Sequence, residues 1–190
     1  MDLELIADLN FEKQDYTLKA LPMAEYENCT FSNCNFSNTD LSGYIFLDCT
    51  FTSSSLMMAK MDSTALRTVL FRDCKLLGVR FDYADPFLFN VNFEKCVLNL
   101  AGFFKHKMKK ARFADCTMHE VDFTQADLTQ AVFHNCDLFN SVFDQTNLQK
   151  ADFRTSINFS IDPLKNNLKK ARFSVNGLPG LLHQFDLVID

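Results

Sequence analysis

The chain has 190 residues, long enough for one domain with a substantial core. Its formal net charge of −5 disfavours general nucleic-acid binding, which needs Lys and Arg to neutralise phosphates. No apolar run approaches the roughly 18 residues of a membrane span, and the acidic start Met1-Asp2-Leu3-Glu4 lacks the basic and apolar regions of a secretory signal, so a cytoplasmic protein is expected. The 21 Phe with no Trp imply one small structural unit used many times.

That unit is found by counting in fives. From Phe11 every fifth residue is large and apolar: Phe11, Tyr16, Leu21, Tyr26, Phe31, Phe36, Leu41, Phe46, Phe51, Leu56, Met61, Leu66, Phe71, Leu76 and Phe81. The phase slips by two residues around Asp85-Pro86. It resumes at Leu88 and runs through Phe93, Leu98, Phe103, Met108, Phe113, Met118, Phe123, Leu128, Phe133, Leu138, Phe143, Leu148 and Phe153. Two residues before most centres sits a small side chain, as at Ala24, Cys29, Cys34, Ala59, Val79, Cys96, Ala101, Ala126 and Ala151. Gln14 and Lys19 break that second rule, so residues 1–23 are read as an N-terminal cap with degenerate repeats. A period of five fits neither a flat strand nor an α-helix.

The clearest copies are Ala126-Asp127-Leu128-Thr129-Gln130 and Ala151-Asp152-Phe153-Arg154-Thr155. This resembles the pentapeptide-repeat family, with its motif A-(D/N)-(L/F)-x-x, over residues 24–155. The resemblance implies an all-β protein: a right-handed quadrilateral β-helix, a solenoid of four pentapeptides per turn, with the centre and small residues inward. Stacked positions then recur every 20 residues. Allowing for the two-residue insertion near 85–87, one face reads Phe11, Phe31, Phe51, Phe71, Phe93, Phe113, Phe133 and Phe153, and the opposite face carries Phe81, Phe103, Phe123 and Phe143. Leu and Met, including Leu88, Met108, Leu128 and Leu148, occupy the faces between. All seven cysteines take the small inward position, and Cys34, Cys74, Cys96, Cys116 and Cys136 share one face with Ser54 between the first two. A metal or redox ladder is one reading. Cysteine as a compact buried hydrophobe accounts for the same pattern, and reduced thiols fit a cytoplasmic protein.

Four irregularities remain. The insertion Asp85-Pro86-Phe87-Leu88-Phe89 is a small bulge. His106 stands where a small residue belongs, which predicts a local bulge or an imidazole turned outward. Around it Lys105, Lys107, Lys109, Lys110 and Arg112 form a basic cluster, read either as a contact site for an acidic partner or as a solvated patch that discourages edge pairing. On the face centred on Leu56, Leu76, Leu98 and Leu138, the outward residues Met57, Met58, Leu77, Leu100 and Phe139 make an apolar stripe. The stripe marks a partner surface or packs beneath the N-terminal segment with Leu3, Leu5 and Ile6.

Residues 156–190 lose the rule, with Asn158 and Pro163 at centre positions and a partial return at Leu168 and Phe173. Leu178 to Phe185 predicts a short apolar helix, followed by an extended Leu187-Val188-Ile189. The tail looks like the C-terminal module of the Qnr-type quinolone-resistance proteins, which caps the coil and pairs two subunits. By that resemblance Leu178, Leu181, Leu182, Phe185 and Leu187 are the dimerisation candidates, and a homodimer is expected. The long loops of many Qnr-type proteins are missing here, and in layout the chain is closer to microcin-immunity proteins.

No Gly-rich phosphate loop, HExxH or GxSxG is present, and His106, His119, His134 and His183 lack metal-ligand spacing. No catalytic residue, cofactor or metal site is predicted. Asp127, Asp137 and Asp152 precede centre residues, where the family's Asp or Asn stabilises turns. The resemblance implies a non-enzymatic, DNA-shaped binder of DNA gyrase or topoisomerase IV that counters quinolones or peptide poisons; the alternative is a general protein-interaction scaffold. A rod of roughly 30–35 Å suits the first reading. The charge suits it less: residues 1–50 hold nine acids and two bases, while residues 86–120 hold three acids and six bases.

Overall fold

A computed structural model describes residues 3–188. Short strands recur at the predicted spacing: β1 (Leu5–Ala7), β2 (Asn10–Glu12), β3 (Glu25–Glu27), β4 (Thr30–Ser32), β5 (Ile45–Leu47), β6 (Thr50–Thr52), β7 (Ala65–Arg67), β8 (Val69–Arg72), β9 (Val91–Glu94), β10 (Arg112–Ala114) and β11 (Val132–His134). They form two all-parallel sheets, one in the order β1-β3-β5-β7 and one in the order β2-β4-β6-β8-β9-β10-β11. Phe11 pairs with Phe31 and Phe31 with Phe51, while Phe71 pairs with Phe93 across the insertion. The other two sides are held by isolated bridges, such as Asn35 to Ser55 to Lys75 to Val97 and Arg80 to Gly102 to Asp122 to Val142. Four sides per turn is the quadrilateral coil that the 20-residue ladders require. Bridges Val132–Asp152 and Asp152–Arg172 continue the seven-stranded sheet toward the C-terminus. With seven strands and two further bridges, spacings of ~4.8 Å give a rod on the order of 38 Å.

The interior is filled by the predicted centres. Phe31, Phe51, Phe71, Phe93, Phe113, Phe133 and Phe153 stack along one side, and Phe81, Phe103, Phe123 and Phe143 along the opposite one, every one buried. Rings one turn apart lie nearly parallel, as Phe113 on Phe133 at 4.8 Å and 6°. Rings from opposite sides meet edge to face, as Phe93 and Phe103 at 5.9 Å and 74°. Both geometries suit the aromatic quadrupole.

Most of the square corners are made by a residue in the left-handed region two places after a centre, as at Asn28 (φ 50), Asp48 (φ 52) and Lys110 (φ 64). Asn and Asp tolerate this region best among residues with a Cβ. Gly78 (φ 68) adopts this region without strain, and the Met58 side chain lies over it where a Cβ would stand. The Asp before a centre closes the turn: Asp127 Oδ1 accepts from the Thr129 N–H at 3.1 Å, and Asp152 Oδ1 from the Arg154 N–H at 3.1 Å.

Where the small inward residue carries a donor, it also has a polar duty. Its side chain then donates to the carbonyl of a centre residue one turn back, as Ser54 to Phe31 O (3.1 Å), Thr64 to Leu41 O (2.7 Å) and Cys74 to Phe51 O (3.4 Å). Cysteine, serine and threonine interchange there because each is compact and carries one donor. All seven cysteines are free and buried, and burial pushes the Cys49 thiol up to about 12.

One expectation is corrected at the insertion, and one alternative is decided. Leu88 is not a core residue: it is exposed with φ 57, and Phe89 fills the interior instead. His106 does not turn outward. The residue is 3% exposed, and Nε2 donates to Phe81 O, the contact made by Thr64 and Thr146 elsewhere in the same column. Phe89 stacks on the imidazole at 4.1 Å and 14°. The insertion and the oversized residue are therefore one adaptation, in which the bulge brings an aromatic ring against the imidazole.

Candidate interaction surfaces

The apolar stripe is interrupted, not continuous. Successive corner hydrogen bonds place Met57, Leu77, Asn99, His119 and Phe139 in one column. Met57, Met58, Leu77 and Leu100 form one patch, with Met57 and Leu77 half-buried and Met58 and Leu100 about half exposed. Val97 extends it. Asn99 and the pair His119–Asp137 (2.9 Å) separate this patch from Phe139, which meets the His119 ring edge-on at 5.7 Å. The N-terminal segment does not cover either patch, because Leu5 and Ile6 lie in β1, on the side that pairs with β3.

The basic cluster frames one side of one turn. Lys107 and Lys109 flank buried Met108, with Lys105 (φ 59) and Lys110 (φ 64) at the two corners. Lys109 reaches Asp127 at 3.5 Å, and the Lys105 ammonium sits 4.8 Å from the Phe104 ring centroid. Asp127 is held below the usual carboxylate range, where hydrogen bonds from Thr129 and the nearby Lys109 outweigh the opposing effect of burial.

At the C-terminal end the coil is closed by a 3-10 turn (Val175–Gly177), α1 (Pro179–Leu182) and a second 3-10 turn (His183–Phe185). Ile161 N–H donates to Gly180 O at 2.9 Å, and Phe159 packs between Phe153 and Phe173 at 5.7 and 5.5 Å. Gly180 presses directly on Phe159, where no Cβ would fit. Leu181 and Leu182 are half-buried in this cap, while Leu178, Phe185 and Leu187 remain exposed. Ile189 lies outside the described residues.

Among the described residues no group of His, Cys, Asp and Glu could hold a metal ion, and no helix is long and apolar enough to cross a membrane. The surface depressions are open and shallow; one, at the C-terminal cap, is lined by Ile157, Phe159, Ser174 and Pro179. Sequence reasoning missed an exposed apolar pair on the side of the coil, Phe87 and Leu88, because the slip in phase assigned Leu88 to the core. Phe87 is 63% exposed, with the Arg67 guanidinium 5.5 Å from its ring centroid.

A family model described as pentapeptide repeat region matches residues 24–103, and one described as pentapeptide repeats (8 copies) matches residues 107–145 and 116–154. The chain belongs to the pentapeptide-repeat proteins. Among solved structures it is similar to full-length QnrB1, a plasmid-mediated fluoroquinolone resistance protein, with TM-score 0.59 and 18% identity over 96% of this chain and 100% of that one. A trypsin-treated form of QnrB1 gives TM-score 0.50 at 20% identity, over 98% of this chain and 100% of that one. These likenesses share the fold. No curated protein matches this chain in sequence.

Proposed function

We propose that this protein acts without catalysis, in the cytoplasm, by presenting the outside of its coil to DNA gyrase or topoisomerase IV and so shielding the enzyme from quinolones or peptide poisons. The observation that carries this reading is shape. A filled rod on the order of 38 Å long matches about one turn of B-DNA, whose two strands carry a charge every ~1.7 Å. QnrB1, a fluoroquinolone resistance protein, has this fold over its whole length. Exposed Leu178, Phe185 and Leu187, with half-buried Leu182, are the surface assigned to end-to-end pairing of two copies, and Leu181 anchors the cap behind them. Such a dimer doubles the rod. Binding by shape uses no cofactor, no metal and no direct contact with nucleic acid.

A second reading, a protein-interaction scaffold with no topoisomerase partner, is favoured by the surface charge. A DNA mimic should be acidic along a whole side, and Lys105, Lys107, Lys109 and Lys110 break that pattern. Gyrase supercoiling assays with and without a quinolone decide between them. Inhibition or protection at micromolar protein supports the first reading. Neither effect, together with no gyrase binding, leaves the scaffold.

A further inference from the structure

One side of the coil separates its charges by sign along its length. It is the side built on Ile6, Tyr26, Phe46, Leu66, Met108, Leu128 and Leu148, whose turns are joined by β1, β3, β5 and β7 and by the bridges Lys107–Asp127, Asp127–Asn147 and Asn147–Asn167. Its first three turns, with the corner that follows, carry Glu4, Asp8, Glu25, Glu27 and Asp48 and no base. Its last four carry Lys107, Lys109, Lys110, Lys150, Lys169 and Lys170, against one acid, Asp127. The apolar outward residues of this side lie toward its middle: Ile45 and Leu47 on β5 in the third turn, and exposed Phe87 and Leu88 on the bulge. Arg67 pairs with Asp85 at 3.8 Å and lies against Phe87, so its charge is already partnered.

An acidic end, an apolar middle and a basic end along one side are self-complementary under a twofold axis through the middle. We infer that this side is a docking surface for a second copy of the same chain, lying antiparallel. The bulges of the two copies then meet at the axis, and the carboxylates of each copy face the lysines of the other. A parallel arrangement would set like charges together. The side is five residues, roughly 16 Å, across and ~38 Å long, so two copies bury about 1,200 Å², the lower limit for a specific interface. The contact is therefore weak and, being carried by exposed charges, sensitive to salt. It is separate from the exposed apolar end of the rod, and the two interfaces are distinguishable by salt.

Sedimentation of the full chain at about 50 mM and about 500 mM salt is the first test. At least a doubling of mass at low salt, reversed at high salt, is expected. Two surface variants then assign the side. One carries Lys110→Glu, Lys150→Glu and Lys170→Glu, the other Asp8→Lys, Glu25→Lys and Glu27→Lys. Each alone is expected to associate at least tenfold more weakly than the natural chain, because both of its ends now have one sign. An equimolar mixture of the two is expected to restore association. A natural chain whose mass ignores salt overturns the inference. So do reversal variants that associate as well as the natural chain, and so does a mixture that stays monomeric. Loss of binding to a DNA oligomer in the lysine variant, with no self-association in the natural chain, would give the lysines to nucleic acid instead.

Discussion

Replacing His106 by Asn separates the two jobs of this side chain, donating to Phe81 O and stacking on Phe89. The Asn keeps a donor, as Asn166 does toward Phe143 O at 2.9 Å, but gives up the ring contact, at a cost of about 1–2 kcal/mol. His106→Ala also leaves the Phe81 carbonyl unpaired and costs a further ~1–3 kcal/mol. The decisive readout is pH. Burial holds the imidazole below its usual 6.5, opposed in part by the Phe81 carbonyl and the charge of Asp82. A lowered folded-state pKa means that the unfolded chain takes up the proton first. Stability from this group is therefore full well above pH 6.5 and is lost as pH falls below it. Between pH 7.5 and 5.5 the natural chain should lose up to about 1.4 kcal/mol that His106→Asn retains. Urea unfolding followed by circular dichroism at the two pH values measures this. Equal losses in the two proteins would refute the neutral, donating role of His106. A cycle with Phe89→Ala should show a coupling of about 1 kcal/mol, because both changes remove the same stacked pair.

Phe113→Ala should cost about 3–5 kcal/mol, because the ring is fully buried between Phe93 and Phe133; Phe173→Ala, at the half-buried end of the ladder, should cost clearly less in the same melts. Thr68→Asn should stabilise by roughly 0.5–1 kcal/mol, since a β-branched residue is held at φ 57 on an exposed corner where Asn is tolerated; a lower melting temperature would contradict this. Asp152→Ala should cost about 1 kcal/mol by opening the turn to Arg154 and the pairs to Arg154 (2.7 Å) and Arg172 (3.9 Å). Because those partners hold Asp152 below its ordinary 3.8, its contribution is present above that pH and fades as pH falls through the lowered value. Acid titration of stability in the Asp152→Asn variant checks the window.

Much of the coil was legible because every turn imposes the same constraint, so each inward position is written many times. Phe31, Phe51 and Phe71 had to be large together because each stacks on the next. Positions used once were not legible. Counting in fives put Leu88 inside, yet the two extra residues can be absorbed in more than one way, and only the imidazole of His106 shows why Phe89 is the residue that turns in. The rule of a small residue before each centre saw size and missed the donor that many of these residues direct at the carbonyl one turn back. With that duty in view, Tyr44, Thr64, His106, Thr146 and Asn166 belong to one column, each donating to a carbonyl of the neighbouring side.

The surface was harder still, because outward residues answer to no packing rule and linear order hides which of them are neighbours. The apolar stripe looked continuous only while Asn99, His119 and Asp137 were left out of its columns. Charge was similarly obscured. The acidic first 50 residues and the basic stretch from 86 to 120 were visible as blocks, but blocks in a coil are spread over four sides. Glu25 and Lys150 acquire a common meaning only when the ladders place both along one side, with Phe87 and Leu88 between them. The bulge ties the inside to the outside: the same two extra residues that let Phe89 turn in to cover His106 also push Phe87 and Leu88 out. A deletion that restores the five-residue count would therefore disturb the His106 contact and the centre of the proposed self-docking surface together, whereas Phe87→Ser with Leu88→Ser would remove only the second.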